Sequence, residues 1–323
     1  MNAELNQAVR LLNKVQENAA PIVVALVAAS GYAVDAAAVE RGIANLQAQG
    51  CVVKNFSDAS RKFQRFGASD DERIAQLYAA AADPEVDIVL ALRGGYGLTR
   101  LLPELDFKLL ADSKKLFVGH SDFTALQMGL LAQTGAMSFS GPMLCDDFVR
   151  DELSAYTLNN FWRCITQPQH TLTVQSAGNP ELDVSGTLWG GNLAMLAHLV
   201  GSPYLPQVPG GILFVEDVNE HPYRVERMIL QLLHAGVLDQ QQALLLGDFS
   251  AYRLTDYDNG YDFETMVDYL RTHLPVPVLT GLPFGHGRDK ATLVAGAQAT
   301  LTSQADGYTL TMQGYPVLRS QGG

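Results

Sequence analysis

The chain is organised around one stretch, Lys115-Leu116-Phe117-Val118-Gly119-His120-Ser121-Asp122-Phe123-Thr124-Ala125-Leu126. Its short apolar run predicts a buried strand, and a helical pattern begins at Asp122. Ser121 therefore lies at a strand-to-helix turn, where an α/β enzyme can expose a hydroxyl beside the N–H groups of a helix start. Serine is also a good helix N-cap, and the local sequence alone favours the cap over a nucleophile.

Predicted strands and helices alternate around this stretch. The strands are 21–29, 51–56 and 87–92, and the helices are 35–49, 69–81, 99–110 and 122–133. Alternation of this kind predicts parallel βαβ units whose ligands bind at the carboxyl ends of the strands. Both Ser121 and the loop Arg93-Gly94-Gly95-Tyr96-Gly97 lie at such ends.

Composition shifts divide the chain into four parts. Residues 1–20 carry apolar side chains at helical spacing and predict a helical extension, and 21–166 form the first α/β domain. The polar, Pro- and Gly-containing segment 167–184 predicts a linker. The second α/β domain is 185–323, and alternating residues in 292–312 predict short antiparallel strands.

The bulk properties exclude several classes of function. A net charge of −12 over 323 residues argues against a nucleic-acid or anionic-membrane partner. No apolar run reaches the roughly 18 residues of a membrane span, and the N-terminus lacks the apolar core of a signal peptide. The cysteines Cys51, Cys145 and Cys164 are odd in number and lack metal-ligand spacing, so they predict a reduced, cytoplasmic, metal-free protein.

A serine nucleophile needs a base and an acceptor that orients the base. His120 is disfavoured as that base, because neighbouring side chains at a strand end point in opposite directions. His286 lies in a Gly-flanked loop after a predicted strand, where it is either a site residue or simply an exposed histidine. Glu216 ends a strongly apolar strand and is either the orienting acid or a structural carboxylate, and Asp217 is expected to point the other way.

Two further motifs have competing interpretations. The loop Arg93–Gly97 matches neither dinucleotide nor P-loop patterns, so it is either an oxyanion-binding loop or a tight βα turn. Asp146-Asp147 could be a glycosidase-like pair of carboxylates, but a solvated turn is the favoured interpretation.

Six blocks in order resemble the LD-carboxypeptidases, the murein tetrapeptide carboxypeptidases of bacterial cell-wall recycling. They are Arg93-Gly94-Gly95-Tyr96-Gly97, Gly119-His120-Ser121-Asp122-Phe123-Thr124-Ala125, Phe139-Ser140-Gly141-Pro142, Gly186-Thr187-Leu188-Trp189-Gly190-Gly191-Asn192-Leu193, the run from Glu216 to Arg227, and Phe284-Gly285-His286. The resemblance implies that Ser121 is the nucleophile, His286 the general base and Glu216 the residue that orients it. It also implies backbone N–H donors at Gly95 and Asp122 for the oxyanion, and it reverses the preference for a cap.

The resemblance further implies a Rossmann-like N-terminal parallel-sheet domain, a smaller β-rich C-terminal domain and an active site between them. It implies a homodimer, no cofactor, and release of the terminal D-Ala from L-Ala-D-Glu-mDAP-D-Ala through an acyl-enzyme. The candidate substrate-binding residues are Arg93, Gly94, Tyr96, Trp189 and Arg224. The two arginines are candidates for the terminal carboxylate or for ordinary ion pairs, and Trp189 could instead pack the domain interface.

Two alternative functions stay open. One is hydrolysis of an aminoacyl-sulfamoyl-adenylate, as in the microcin C7 self-immunity members of the same family. The other is a non-catalytic muropeptide-binding protein. The chain also departs from the family in its first twenty residues and at Val294, where a proline is common.

Overall fold

The computed structural model describes residues 21–318, so the predicted extension 1–20 lies outside the described residues. The first half contains strands β1 (Val23–Val27), β2 (Val52–Asn55), β3 (Ile88–Ala91), β4 (Leu116–Gly119) and β5 (Ser138–Ser140) and helices α1 (Ala36–Ala48), α2 (Asp70–Ala82), α3 (Leu98–Leu101), α4 (Phe107–Asp112), α5 (Thr124–Thr134) and α6 (Ala155–Thr166). The second half contains strands β6 (Gln169–Gln175), β7 (Leu182–Asn192), β8 (Ile212–Val218), β9 (Ala243–Ser250), β10 (Val278–Leu279), β11 (Leu293–Ala295), β12 (Gln298–Gln304) and β13 (Gly307–Gln313) and helices α7 (Leu193–Leu199), α8 (Pro222–His234) and α9 (Phe263–His273).

The first sheet is parallel from β2 to β5, in the order β2-β1-β3-β4-β5. Strands β1, β3, β4 and β5 are buried along their whole length, as expected of parallel strands covered by helices on both faces. The strand order reverses direction between β1 and β3. The loops that follow these two strands therefore diverge and leave a crevice at the carboxyl edge of the sheet.

The second sheet is mixed, in the order β10-β9-β8-β7-β12-β13-β6. The long strand β7 joins its two parts: residues 188–192 pair in parallel with β8, and residues 182–187 pair antiparallel with β12. The tail was predicted as short antiparallel strands, and β11, β12 and β13 confirm that prediction. The α/β fold class with a second sheet in the C-terminal half is likewise confirmed.

Two strands depart from the division of the chain that the sequence predicted. Strand β6 lies inside the segment 167–184 that was predicted as a linker, and it pairs antiparallel with β13 at the edge of the second sheet. Its residues are alternately exposed and buried, which is why a polar-looking segment can form a half-buried strand. Strand β11, which follows in the second half of the chain, pairs antiparallel with β5 of the first sheet.

The helix predicted over 99–110 is interrupted. It forms α3, a 3-10 turn at Leu102–Glu104 and then α4. Pro103 accounts for the break, because proline lacks an N–H group and its ring clashes with the preceding turn of a helix. Within residues 21–318, no helix is both long enough and apolar enough to cross a membrane.

Candidate active site

Ser121 lies directly after β4, in a 3-10 turn (Ser121–Phe123) that leads into α5. Its φ of 59° is in the left-handed region, which costs a residue with a side chain about 1–2 kcal/mol. Neither this turn nor α5 receives a hydrogen bond from an N-cap side chain. The N-cap alternative is therefore not supported, and the strained strand-to-helix turn is the geometry of an exposed nucleophile.

The loop after β3 lies against this serine. A Cβ placed on Gly94 would be 2.8 Å from both Cβ and Oγ of Ser121, so only glycine fits there without displacing the hydroxyl. The Gly94 carbonyl accepts a 3.2 Å hydrogen bond from the N–H of Gly31, which belongs to the loop after β1. The loops after three neighbouring strands therefore meet at Ser121.

The carboxyl group of Asp122 holds these loops together. Its Oδ2 accepts a 2.6 Å hydrogen bond from Ser30 Oγ in the loop after β1 and a 3.0 Å bond from the N–H of Leu98 after β3. The side chain is 1% exposed, and burial raises the pKa of the Asp122 carboxyl despite these hydrogen bonds. Asp122 therefore has a structural role through its side chain that the sequence analysis did not assign.

The predicted oxyanion donors are the backbone N–H groups of Gly95 and Asp122. Outside the hydrogen bonds internal to helices and strands, neither N–H group donates a backbone hydrogen bond within residues 21–318. Asp122 is the second residue of its turn, a position whose N–H has no partner within the helix. Gly95 has a φ of 109°, which turns the loop in a way that favours glycine.

The second half of the molecule contributes an acid–imidazole pair. Nδ1 of His286 lies 2.7 Å from Oε2 of Glu216, whose side chain is completely buried. Because a carboxylate only accepts, this contact assigns the proton to Nδ1 and leaves Nε2 as the basic atom. The close approach requires glycine at position 285, since a Cβ there would be 2.7 Å from Cβ of Asp248 and 3.2 Å from Glu216 Oε2.

Glu216 lies opposite a β-bulge in the neighbouring strand β9. Val215 pairs with Leu246 and Asp217 with Phe249, so two residues of β9 stand opposite Glu216 alone, while β8 keeps a regular register with β7. The expectation that Glu216 and Asp217 point in opposite directions is wrong: both carboxyl groups accept from Nδ2 of Asn192, at 3.3 and 3.0 Å. Burial, followed by the charge of Glu216, raises the pKa of Asp217 to about 6.

Charged groups around His286 shift its pKa. Burial alone would lower it, but the hydrogen bond and charge of Glu216, together with the charge of Asp146, outweigh burial and raise the pKa above its usual value. Lys290 acts in the opposite direction. His286 is therefore set to hold a proton more tightly than a free histidine.

His120, the histidine that the sequence disfavoured as the base, is buried. Its Nδ1 lies 2.9 Å from the carbonyl oxygen of Gly141, and its ring centroid is 5.2 Å from that of His286. Asp146 and Asp147 are not the solvated turn that was favoured for them. Asp147 is 3% exposed, and Asp146 Oδ2 lies 3.3 Å from His120 Nε2.

Three of the predicted substrate-binding residues belong to the loop after β3. Gly94 contacts Ser121 as described. Arg93 donates a 3.0 Å hydrogen bond from Nη1 to the carbonyl oxygen of Tyr32, so it connects the loops that bound the crevice. Tyr96 is 40% exposed, with its ring 5.9 Å from that of Phe66. The loop therefore presents Tyr96 to solvent.

The other two residues lie in the second half. Trp189 is 1% exposed, and its Nε1 donates a 2.8 Å hydrogen bond to Gln241. Trp189 is therefore a core residue that is not available to a substrate, and the prediction that it lines the site is corrected in favour of packing. Arg224 lies in the first turn of α8, half exposed, 3.6 Å from Glu220.

No group of three or more His, Cys, Asp or Glu side chains is arranged to hold a metal ion in the part of the chain from 21 to 318. The arrangement is instead suited to acyl transfer. It combines a strained serine, two N–H groups that donate to no other loop or turn in the described part of the chain, and an imidazole whose Nδ1 is held by a buried carboxylate.

Two family models match most of the chain. A model of the LD-carboxypeptidase N-terminal domain matches residues 24–141, and one of the LD-carboxypeptidase C-terminal domain matches residues 185–301. The chain belongs to the LD-carboxypeptidase family. It is therefore a hydrolase, a carboxypeptidase of the serine type.

Individual relatives support the same assignment. The chain is 53% identical to the muramoyltetrapeptide carboxypeptidase of Oxalobacter formigenes, whose crystal structure matches with a TM-score of 0.88 over 91% of this chain and 100% of that chain. It is 31% identical to a probable murein peptide carboxypeptidase of Bacillus subtilis over 72% of this chain and 74% of the relative. It is also 26% identical to the microcin C7 self-immunity protein of Escherichia coli, over 84% and 88% of the two chains.

The sequence analysis missed the residues that support the site. Ser30 lies in the loop after β1 and Asn192 ends β7, so the carboxyl ends of predicted strands were the signal that could have found them. Lys290 follows His286 by four residues, but its contacts with the first half depend on folding and could not be read from its neighbours.

Proposed function

We propose that this LD-carboxypeptidase releases the terminal D-Ala of the murein tetrapeptide L-Ala-D-Glu-mDAP-D-Ala, using Ser121, His286 and Glu216. The observation that carries the proposal is the 2.7 Å contact between His286 and the buried Glu216, together with a serine held at a φ of 59° whose neighbour His120 has its ring centroid 5.2 Å from that of His286. The names of the relatives from Oxalobacter formigenes and Bacillus subtilis support the murein peptide as the substrate class.

In the proposed mechanism, Oγ of Ser121 attacks the carbonyl carbon of the diaminopimelate residue while Nε2 of His286 takes the hydroxyl proton. The N–H groups of Gly95 and Asp122 stabilise the oxyanion, each lowering the barrier by about 3 kcal/mol. His286 then protonates the leaving amine of D-Ala. Water attacks the acyl-enzyme with the same histidine as base, and the tripeptide is released.

The substrate ends in a carboxylate, which needs a cationic or N–H-rich site in a chain of net charge −12. Arg93, Gly94 and Tyr96 in the loop after β3 are the proposed contacts, because they adjoin Ser121 or the crevice. Arg224 is the second proposed cation. Trp189 is not included, because it is buried in the core.

We further propose that the protein acts in the cytoplasm during peptidoglycan recycling, as a homodimer without a cofactor. Its three cysteines carry free thiols, and burial raises the pKa of Cys51 to about 12, so that thiol stays protonated and unreactive. Sedimentation equilibrium tests the dimer, and a single species of 35.0 kDa would contradict it.

A direct comparison of substrates tests the proposed function. The microcin C7 self-immunity protein has been solved with aspartyl sulfamoyl adenosine, so that compound is the rival substrate. We expect D-Ala release from the tetrapeptide and no turnover of the sulfamoyl nucleoside. Turnover of the nucleoside alone would favour the adenylate hydrolase, and binding of the tetrapeptide without turnover would favour a muropeptide-binding protein.

A further inference from the structure

A buried ammonium group lies behind the loop that carries His286. The Lys290 side chain is 1% exposed, and its Nζ donates to Oδ1 and Oδ2 of Asp147 at 2.9 and 3.0 Å. The Asp147 side chain is 2% exposed, so the whole ion pair is removed from water. The proposed chemistry of Ser121, His286 and Glu216 uses neither residue.

This ion pair connects the two halves of the molecule. Lys290 follows His286 by four residues, whereas Asp147 lies in the turn Leu144–Phe148 after β5. Asp147 is also held within the first half, because its Oδ2 accepts a 2.9 Å hydrogen bond from the N–H of Met143. The backbone N–H of Lys290 donates to Thr157 Oγ1 at 3.0 Å, so one residue anchors the His286 loop through both its main chain and its side chain.

The same ammonium group contacts the residue that precedes the nucleophile. Nζ of Lys290 lies 3.4 Å from Nε2 of His120. Nδ1 of His120 donates to the carbonyl oxygen of Gly141, and the same Nε2 also lies 3.3 Å from Oδ2 of Asp146, so Lys290, Asp146 and His120 meet at this point. Lys290 therefore contacts the end of β4 that carries Ser121 while its own backbone belongs to the loop of His286.

Stability alone does not explain an ion pair in this place. Removing two charges from water is costly, and apolar side chains of similar volume often stabilise a protein as well or better. Apolar residues form no directional hydrogen bonds, whereas an ammonium group with three donors fixes the positions of the groups around it. Here those groups belong to the elements that bring Ser121 and His286 together.

We propose that Lys290 is a positioning residue for the catalytic pair, fixing the loop of His286 against the strand end that carries Ser121. This inference rests on the proposed function, because it takes Ser121 and His286 as the reacting groups. Lys290 does not touch the reacting atoms, and its effect passes through His120, Asp147 and the backbone of the loop.

Lys290→Met tests the proposal, with Lys54→Met as the matched control. Lys54 forms ion pairs with Asp83 and Glu85 away from the site. Since a misplacement of about 1 Å can cost about 100-fold in rate, we expect kcat to fall 10- to 100-fold in Lys290→Met, with KM within about twofold. The control keeps the wild-type kcat.

The pH profile separates positioning from a purely structural role. The groups that face His286 are Glu216, Asp146, His120 and Lys290, with Asp248 beside its flanking glycines. The charge of Lys290 lowers the pKa of His286, so Lys290→Met moves the acid limb of kcat/KM to higher pH. A residue that only stabilises the fold leaves this limb where it is in the wild type.

Lys290→Met leaves the charge of Asp147 buried and can unfold the protein, so the double variant Lys290→Met/Asp147→Leu is measured alongside it. We expect the double variant to fold and to remain slow. A folded single or double variant with wild-type kcat and an unmoved acid limb would overturn the proposal. The rate at which a fluorophosphonate phosphonylates Ser121, with loss of fluoride, is a substrate-independent readout: a wild type that reacts with the probe but releases no D-Ala refutes the proposed substrate and leaves this test intact.

Discussion

The two halves of the active site are built in different ways. The nucleophile side consists of the loops after β1, β3 and β4, which are neighbours in one parallel sheet and are joined by the buried carboxyl group of Asp122. The base side consists of a strand end that faces a bulge in the next strand and an irregular loop, and its central contact joins Glu216 and His286 across 70 residues of sequence. The first side is fixed by sheet topology, and the second by a few long-range polar contacts.

This difference predicts which kind of substitution lowers activity on each side. The nucleophile side is tightly packed, with a glycine in contact with the serine, so it should be most sensitive to added volume. The base side depends on a hydrogen bond and on nearby charges, so it should be sensitive to changes that keep the shape and alter the charge. Four substitutions test this comparison.

Ser121→Ala should have the largest effect. Removing the nucleophile should lower kcat/KM for D-Ala release by at least about 10⁴-fold, because only the oxyanion donors and binding remain. The measurement is kcat/KM, with circular dichroism to show that the fold is intact. Ser185→Ala, on an exposed position of β7, is the control and should match the wild type. Activity of the Ser121 variant within tenfold of the wild type would refute the nucleophile.

Glu216→Gln should come next. Glutamine keeps the shape but does not stabilise the imidazolium that forms, and it can favour the wrong tautomer of His286, so kcat should fall by about 10³- to 10⁴-fold. The adjacent Asp217→Asn is the matched control, because the carboxyl group of Asp217 accepts instead from Asn192, Ala194 and Val218. Similar losses in the two variants would show that Glu216 is not distinguished from Asp217 as the partner of His286.

Gly94→Ala tests the packing of the nucleophile side. The new methyl group would lie 2.8 Å from Ser121 Oγ, so kcat should fall by about 10- to 100-fold while the melting temperature changes little. Gly178→Ala is the complementary control: its φ is 78° and nothing lies within 4 Å, so it should cost stability without lowering kcat. Wild-type activity in Gly94→Ala would mean that the loop moves away from the serine.

Asp146→Asn should have the smallest effect, which is on pH dependence. His286 must be unprotonated to act as a base, so activity falls as the pH drops through its raised pKa. Asp146 is one of the charges that raise this pKa, so Asp146→Asn should move the acid limb of kcat/KM to lower pH. Asp151→Asn, whose carboxyl group is 96% exposed, serves as the control. An acid limb that moves to higher pH in Asp146→Asn contradicts this electrostatic account.

The same difference explains what could be predicted from the sequence. A buried strand followed by a helix was enough to locate Ser121 at a strand end, and parallel-sheet topology then placed it beside the loop of Gly94. His286 was found as a loop residue, but only the resemblance to the LD-carboxypeptidases joined it to Glu216. No local pattern specifies contacts over such a separation in sequence.

The errors have local physical causes. Asp217 was expected to point away from Glu216 because side chains alternate along a strand, but both carboxyl groups reach the same Asn192 amide at the end of β8, opposite the bulge in β9. The strand β6 was taken for part of a linker because only one of its faces is apolar. Asp147 was taken for a solvated residue because its partner, Lys290, lies 143 residues further along the chain.

The most direct test of the account is to identify the residue that a fluorophosphonate modifies, by peptide mass spectrometry of the wild type and of Glu216→Gln after equal reaction times. The account predicts a single adduct on Ser121, formed much more slowly in Glu216→Gln. The absence of an adduct in the wild type, or an adduct on another residue, would contradict the assignment of Ser121 as a nucleophile activated by His286 and Glu216.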